Sequence, residues 1–465
     1  MSTAIHSLRR KPIVAGMAVL FALSSCTACA TTLVTNCKDD GSAGTLRSAV
    51  AAAASGDTVD ASALTPASPG CAASKITLTL GEIAVNKSSL TIKGPGQDKL
   101  TVTALNDNGS SSHQYDNRIF SHTGTGGFSI YDLTVSNGLQ TTTSSPSRGG
   151  CIYSKGLVGL YGATVSSCVA RTTFSVAQGG GIFANAVFLT YSTVSGNYAD
   201  AGANGDAEGG GLYSSSSIQL TASSVISNYS GHVGRAAGKA GGIVSHDNAV
   251  VIYSTIGNNT AGNRFGGWEM HANGPSRLYM FNSTVSGNHA THGSGGGLYA
   301  VANYIYMTNS TFAFNTAQVD DPAISAGFSL AGTGSGARAY LVSVLSSANV
   351  FGSAGMSHDA SKPVGMSYFG SANFIHVGPT FGPQGGGCPR LGPLRNNGGP
   401  TMTNALLSAN PDLGGNPAVD WGLVRYYYND QRFMSRLSDA MPDIGAYEVQ
   451  KDDIIFNDSS GDGCP

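Results

Sequence analysis

A stretch of roughly thirty residues sets the terms for this chain. It runs from Gly209-Gly210-Gly211-Leu212-Tyr213 through Ile218-Gln219-Leu220 to Ser223-Ser224-Val225-Ile226-Ser227-Asn228-Tyr229, and versions of it recur from about residue 128 to about 350. Each copy has a glycine run, an apolar–aromatic step, an alternating segment, and then Ser-Thr-Val-Ser with Asn three residues after the Val. The Val slot is filled by Val135, Val165, Val194, Val225, Ile256, Val285, Phe312 and Val344, at successive spacings of 30, 29, 31, 31, 29, 27 and 32. A fixed period of this size means a solenoid or an array. The segments alternate with period two, favour Val, Ile, Thr and Tyr, and are broken by glycine, which argues against helical repeats. Propeller blades need about 40 residues or more. One coil of three short strands and three turns fits. The expected fold is all-β: a single-stranded right-handed parallel β-helix, its hand set by parallel crossovers and its coils about 4.8 Å apart.

Within a coil, alternation assigns faces. Val187 and Leu189 point inward, and the same slots hold Ile218 and Leu220, Leu278 and Met280, and Ile305 and Met307. The asparagines Asn197, Asn228, Asn259, Asn288 and Asn315 share one turn, where they can bond to backbone and to each other as stacked Asn ladders do. The glycines suit a tight turn with unusual backbone angles.

Composition limits the partners. Charged residues make up 11% of the chain and the formal net charge is −2, so no global field calls for nucleic acid. The first thirty residues look like a secretory signal. Arg9-Arg10-Lys11 is a positive region, Ile13 to Leu23 an apolar run, and Ala28-Cys29-Ala30 a cleavage site giving a start at Thr31. The alternative, Leu23-Ser24-Ser25-Cys26, is a lipobox that would anchor Cys26 by lipid. Cleavage after Ala30 leaves an even set, Cys37, Cys71, Cys151, Cys168, Cys388 and Cys464, and this parity favours it. Such cysteines in an exported chain point to disulfides rather than metal. Neighbourhood suggests Cys37–Cys71, Cys151–Cys168 and Cys388–Cys464. No other stretch is a transmembrane candidate.

Four segments follow: a signal at 1–30, an N-terminal cap with first coils at 31–127, regular repeats at 128–350, and closing coils with an irregular C-terminal cap at 351–465. Leu46, Ala49, Val50 and Ala53 form one helical stripe, a short helix fit to lid the first coil, with Gly56 as its stop. Asp458 to Gly463 is half a calcium loop with no residue at its twelfth position, so neither metal nor cofactor is expected.

The repeat resembles those of polymorphic outer-membrane proteins and other bacterial parallel β-helix proteins. The tail is more specific. Leu391-Gly392-Pro393-Leu394-Arg395-Asn396-Asn397-Gly398-Gly399-Pro400-Thr401, Asn416-Pro417-Ala418-Val419-Asp420, Asp430-Gln431-Arg432 and Asp443-Ile444-Gly445-Ala446-Tyr447-Glu448 resemble the choice-of-anchor Q family. That resemblance implies an exported or surface β-helix and assigns no reaction. Phe433 stands where the family usually has glycine, and no sorting motif follows Glu448.

Two stripes are sites for chemistry. The slot after the glycine run holds Tyr153, Phe183, Tyr213, Val244, Glu269, Tyr299 and Ser329, an aromatic row suited to stacking on an extended glycan. Coil five breaks the pattern with Trp268-Glu269-Met270-His271, and Trp268 joins Tyr153, Phe183, Tyr213 and Tyr299 as a substrate-binding candidate. The second stripe is the charged loops after the Asn slot. Arg235, Lys239 and Arg264, with Glu269 and His271, are candidates for the cation and base of a polysaccharide lyase. Asp206 with Glu208, or Asp320 with Asp321, are candidate carboxylate pairs for a glycosidase. The leading expectation is a secreted or surface-exposed protein that recognises a polysaccharide or cell-surface glycan on its lateral face without catalysis. The alternative is a polysaccharide lyase or glycoside hydrolase on that face.

Overall fold

The computed structural model describes residues 29–453 apart from 106–116, 203–204, 233, 273, 335, 353–354, 364, 380–388, 408–414, 424–426, 439–440 and 451–452. Residues 1–28 of the leader, Cys26 among them, and Cys388, Cys464 and the Asp458–Gly463 element lie outside the described residues.

The chain is an all-β solenoid of about 11 turns with about 30 residues per coil. In one coil the strands are Leu212–Ser214, Ile218–Thr221, Ser224–Ile226 and Tyr229–Gly231. Each pairs in parallel with its counterpart in the next coil. This gives a 10-stranded sheet 1, a 12-stranded sheet 2, an 11-stranded sheet 3 and a 9-stranded sheet 4. Three coils add a fifth strand, at Ser147–Arg148, Val176–Gln178 and Asp206–Glu208, and these form sheet 5. The expected three strands per coil are therefore four or five. The segments after the Asn slot, read as loops, also alternate: Ala170 and Thr172 are buried while Arg171 is exposed.

The slots fall in register from Val135 to Phe312. The last one does not. Phe312 pairs with Ser346, two residues beyond Val344. Ser346 occupies the inward slot and donates to the Asp359 carbonyl at 2.8 Å. Apolarity misplaces the eighth copy, whereas Asn349, three residues after Ser346, marks it correctly. The inward residues from Val187 to Met307 are fully or almost fully buried and form one continuous core.

The asparagines do form a ladder, and all are buried. From Asn197 through Asn228, Asn259, Asn288 and Asn315 to Asn349, each side-chain Nδ2 donates to the next Oδ1 at 2.8–3.0 Å. The backbone N–H of each also donates to the next Oδ1. At one end the slot is Cys168, whose N–H donates to Asn197 Oδ1 and whose sulfur is bonded to Cys151. At the other end Asp359 accepts from Asn349 N and Nδ2 on Oδ1 and from Val377 N on Oδ2. An amide could not accept on both sides. Burial raises the Asp359 carboxyl above its ordinary range, against the pull of these donors.

The turn before sheet 1 is tight as expected. Gly209 has φ +64°, and a Cβ on Gly210 would lie 2.2 Å from the Tyr229 carbonyl. Helix α1 spans Leu46–Ala52, is capped by Thr45, and buries Leu46, Ala49 and Val50, with Ala53 just beyond its end. It ends before Gly56, whose φ of +94° belongs to the following turn. Cys37–Cys71 and Cys151–Cys168 are disulfides as expected. Cys29, placed in the leader by the sequence reading, is also disulfide-bonded.

The C-terminal part differs from the end cap expected of it. Coils continue past 350 to the strand Phe374–Ile375. The tail then turns back and lies along the outer face of sheet 3 as a strap. Gln431 bonds to Thr284 Oγ1 at 2.7 Å, to Thr255 Oγ1 at 2.9 Å and to the Ser254 carbonyl at 3.2 Å. Arg436 reaches Asn282 Oδ1 at 2.8 Å, Ala446 N donates to Thr311 Oγ1 at 2.9 Å, and Gly445 N donates to the Ser343 carbonyl at 3.0 Å. Leu391, Leu406, Ala418 and Ile444 pack with Ala313, Leu345 and Phe374 in a second core. The outward threonines of sheet 3, which resemble solvent-facing positions in the sequence, are the strap's anchoring points. Asp430, Arg432, Arg436, Asp443 and Glu448 are buried within it and bonded among themselves: Arg432 to Asp430 at 2.9 Å, Arg436 to Glu448 at 3.6 Å. Phe433 sits at φ +69°, and its ring lies 4.9 Å from Tyr253.

Candidate functional site

The predicted aromatic row is a true row. Tyr153, Phe183, Tyr213, Val244, Glu269, Tyr299 and Ser329 occupy one register position of sheet 1. Its rings, however, are turned to each other. Tyr153 stacks on Phe183 at 5.6 Å and 9°, and Phe183 on Tyr213 at 5.2 Å and 11°. Arg118 lies 5.3 Å from the Tyr153 ring and Arg148 4.9 Å from that of Phe183. Tyr299 stacks on Phe265 at 4.6 Å. With their faces engaged, these half-buried rings offer edges to solvent. Trp268 is a correction: it is fully buried, with Nε1 donating to Ser245 Oγ at 2.8 Å, because its slot is the inward one beside Glu269. It cannot stack on a ligand.

The charged loops come together in part. Lys239 Nζ meets Asp206 at 2.6 Å and Glu208 at 3.6 Å. Burial would lower its pKa, but these carboxylates outweigh burial and raise it, so it is held as a cation. Arg264 is the next residue in that row and shares with Lys239 and Asp206 a depression of about 390 Å³. Its guanidinium rests 5.1 Å from the Phe265 ring. Arg235 is exposed on a separate tight turn closed against His232. Glu269 is 4% exposed and bonds His271 Nε2 at 2.6 Å. Asp320 faces His358 at 3.2 Å. Among the described residues, no group of three or more His, Cys, Asp and Glu side chains could hold a metal ion. No helix of the described residues is long and apolar enough to cross a membrane.

A different face carries aromatics that the sequence reading passed over. Leu278 and Met280 point inward, so Arg277, Tyr279 and Phe281 point out; Ile305 and Met307 leave Tyr304 and Tyr306 outward. On sheet 2 the register aligns Tyr279, Tyr306, Tyr340 and Phe369 on consecutive coils, with Val250 before them. Most neighbouring rings are inclined to one another: Tyr279 and Tyr304 at 50°, Phe281 and Tyr306 at 42°, Tyr304 and Tyr340 at 38°. Two pairs approach parallel, Tyr279 with Phe281 at 14° and Tyr340 with Phe369 at 15°, and Phe369 is 46% exposed. The tilted pairs do not close face to face as the stack on sheet 1 does. Tyr427 of the strap borders this face, 5.2 Å from Phe281. At the opposite border is a concavity of about 840 Å³ lined by Asn248, Ser276, Arg277, Tyr279, Asn303 and Tyr304. The signal was present in the sequence: in the row alternating with the inward pairs, Phe188, Gln219 and Val250 give way to an unbroken aromatic run, Tyr279, Tyr306, Tyr340 and Phe369. Comparison with known proteins finds no match to this chain among protein families, curated proteins or solved structures.

Proposed function

We propose that this is a secreted or surface-exposed β-helix that binds an extended polysaccharide along the outer face of sheet 2, without cleaving it. The observation that carries the reading is the in-register run Tyr279, Tyr306, Tyr340 and Phe369. Coils about 4.8 Å apart place one aromatic side chain per step along the axis, a spacing that suits a chain molecule lying lengthwise. Aromatic side chains supply large contact area with little flexibility to lose. Export is supported by the leader-like N-terminus and by disulfides, which persist in oxidising compartments. Binding rather than cleavage is supported by the ties on the predicted lyase residues, since Lys239 is engaged by two carboxylates and Arg235 sits apart.

The test is a panel of soluble polysaccharides, each scored for binding and for chain shortening. The expected result is retention by at least one polymer with no new reducing or unsaturated ends. Tyr279→Ala with Tyr306→Ala should weaken binding by about fivefold to 150-fold, at about 0.5–1.5 kcal/mol per ring. Shortened products would refute the non-catalytic reading. Full binding by the double variant would remove sheet 2 as the surface.

A further inference from the structure

Resting on that glycan-binding reading, we infer that the concavity at the border of sheet 2 is a subsite for a carboxylated sugar unit, read by Arg277, with Arg338 taking a second carboxylate further along the same chain.

The first observation is an orphaned hydroxyl. Ser276 is 1% exposed, yet its Oγ has no hydrogen-bond partner. Buried hydroxyls of this kind are uncommon and call for an explanation. This one lines the concavity.

The second is the sign of the rim. Asn248 Oδ1 accepts from Arg277 N at 3.0 Å, and Asn303 Oδ1 accepts from Ser276 N at 3.1 Å. Both amide oxygens are thereby used, which leaves the two amide nitrogens as donors towards the space. Arg277 is exposed, and no carboxylate among the described residues lies within ion-pair distance of it. Arg47, Arg118, Arg171 and Arg432, in contrast, each hold a carboxylate. A rim of one guanidinium, two amide N–H₂ groups and a hydroxyl is complemented by an acceptor-rich anion. The planar guanidinium fork matches a carboxylate in particular.

The third is repetition along the axis. Arg277, Tyr304 and Arg338 share one outward row of sheet 2 on consecutive coils. Arg338 is also exposed with no carboxylate partner among the described residues. Arg277 and Arg338 stand two coils apart, a backbone separation of about 9.6 Å. A tyrosine lies between them and the aromatic run beside them. Stacking and charge thus address the same chain, in alternation.

The experiment is titration calorimetry of the full chain with three polymers: polygalacturonate, its carboxyl-reduced neutral counterpart, and dextran sulfate. Polygalacturonate should bind about tenfold more tightly than the reduced polymer, the effect expected of two exposed ion pairs. Arg277→Gln with Arg338→Gln should abolish that preference, lowering affinity for polygalacturonate to that for the neutral polymer. Retention of the preference by this variant would overturn the subsite. So would dextran sulfate binding as tightly as polygalacturonate, because charge alone would then be enough. The neutral polymer separates the two levels. If neither polymer binds, or the neutral one binds without sensitivity to Tyr306→Ala, the glycan reading falls and the subsite with it. If it binds through Tyr306 but the arginines make no difference, only the subsite falls.

Discussion

Replacing Asn259 by Ala cuts the asparagine ladder at its middle, and the cost can be worked from the bonds. Asn259 Nδ2 donates to Asn288 Oδ1 and to the Val225 carbonyl, both at 2.9 Å. Its Oδ1 accepts from Asn228 N and Asn228 Nδ2, both at 3.0 Å. Alanine removes all four. The Asn228 backbone N–H and one of its amide hydrogens then lose their acceptor in a site with no solvent exposure. Each stranded group costs about 1–3 kcal/mol, so two of them give about 2–6 kcal/mol before any cavity is counted. That is a large fraction of the roughly 5–15 kcal/mol that holds an ordinary domain together. The coils before about 253 touch only their neighbours, so the damage should not travel back to the first coils. Amide hydrogen exchange is the appropriate assay. Peptides covering the Val225–Asn288 coils should lose protection by at least about thirtyfold (about 2 kcal/mol at 1.4 kcal/mol per decade), with the coils before Cys151 little changed. Gln219→Ala, at an exposed outward position of sheet 2, serves as the control. A loss below about 1 kcal/mol, or one equal to the control, would show that the ladder is only a consequence of stacking and not a support for it.

Three further outcomes are expected. Phe433 holds a left-handed angle that costs a non-glycine residue about 1–2 kcal/mol, while its ring contact with Tyr253 returns about 0.5–1.5 kcal/mol. Phe433→Gly should therefore be near neutral in wild type and stabilising by about 1 kcal/mol in a Tyr253→Ala background; urea midpoints showing equal effects in both would refute the compensation. Burial lowers the pKa of His122 below its ordinary value near 6.5, against the carbonyls of Lys87 and Ser88 that favour the charged ring. The folded state then binds fewer protons than the unfolded one below that pH, so stability should fall as pH drops from 7 to 5. His122→Gln should flatten that slope, and an unchanged slope would count against it. Removing the Cys151–Cys168 bridge by Cys→Ser at both positions opens a 17-residue separation and should cost about 3 kcal/mol by thermal unfolding, and a shift of less than 1 kcal/mol would refute the assignment of the bridge as a stabiliser of the ladder's end.

The solenoid was legible because its cause is local and repeated. Inward Val, Leu and Ile, a glycine turn and an Asn corner recur through the repeat region, and each copy reports on the same geometry. The strap was not legible, because its anchors are ordinary outward threonines. Thr255 and Thr284 look like solvent-facing strand residues, and only the folded tail reveals Gln431 as their partner. The slip at Val344 has a related origin, since a buried Ser346 mimics an outward position. On sheet 1 the sequence placed the aromatic row correctly but could not tell whether rings face solvent or each other. On sheet 2 the tyrosines were readable by the same alternation that placed Leu278 and Met280 inside.

The strap also changes how the fold should come apart. A bare stack of coils behaves as a one-dimensional chain with nearest-neighbour coupling, in which a boundary between folded and unfolded coils can rest at any position. The strap binds Ser254, Asn282, Thr311 and Ser343, which belong to successive coils. Moving a boundary through this region breaks contacts to several coils at once, so intermediate positions are penalised. The coils from about 253 to 375 become a single cooperative block, while those before it retain the graded behaviour of a plain stack. The aromatic face of sheet 2 lies almost wholly within that block.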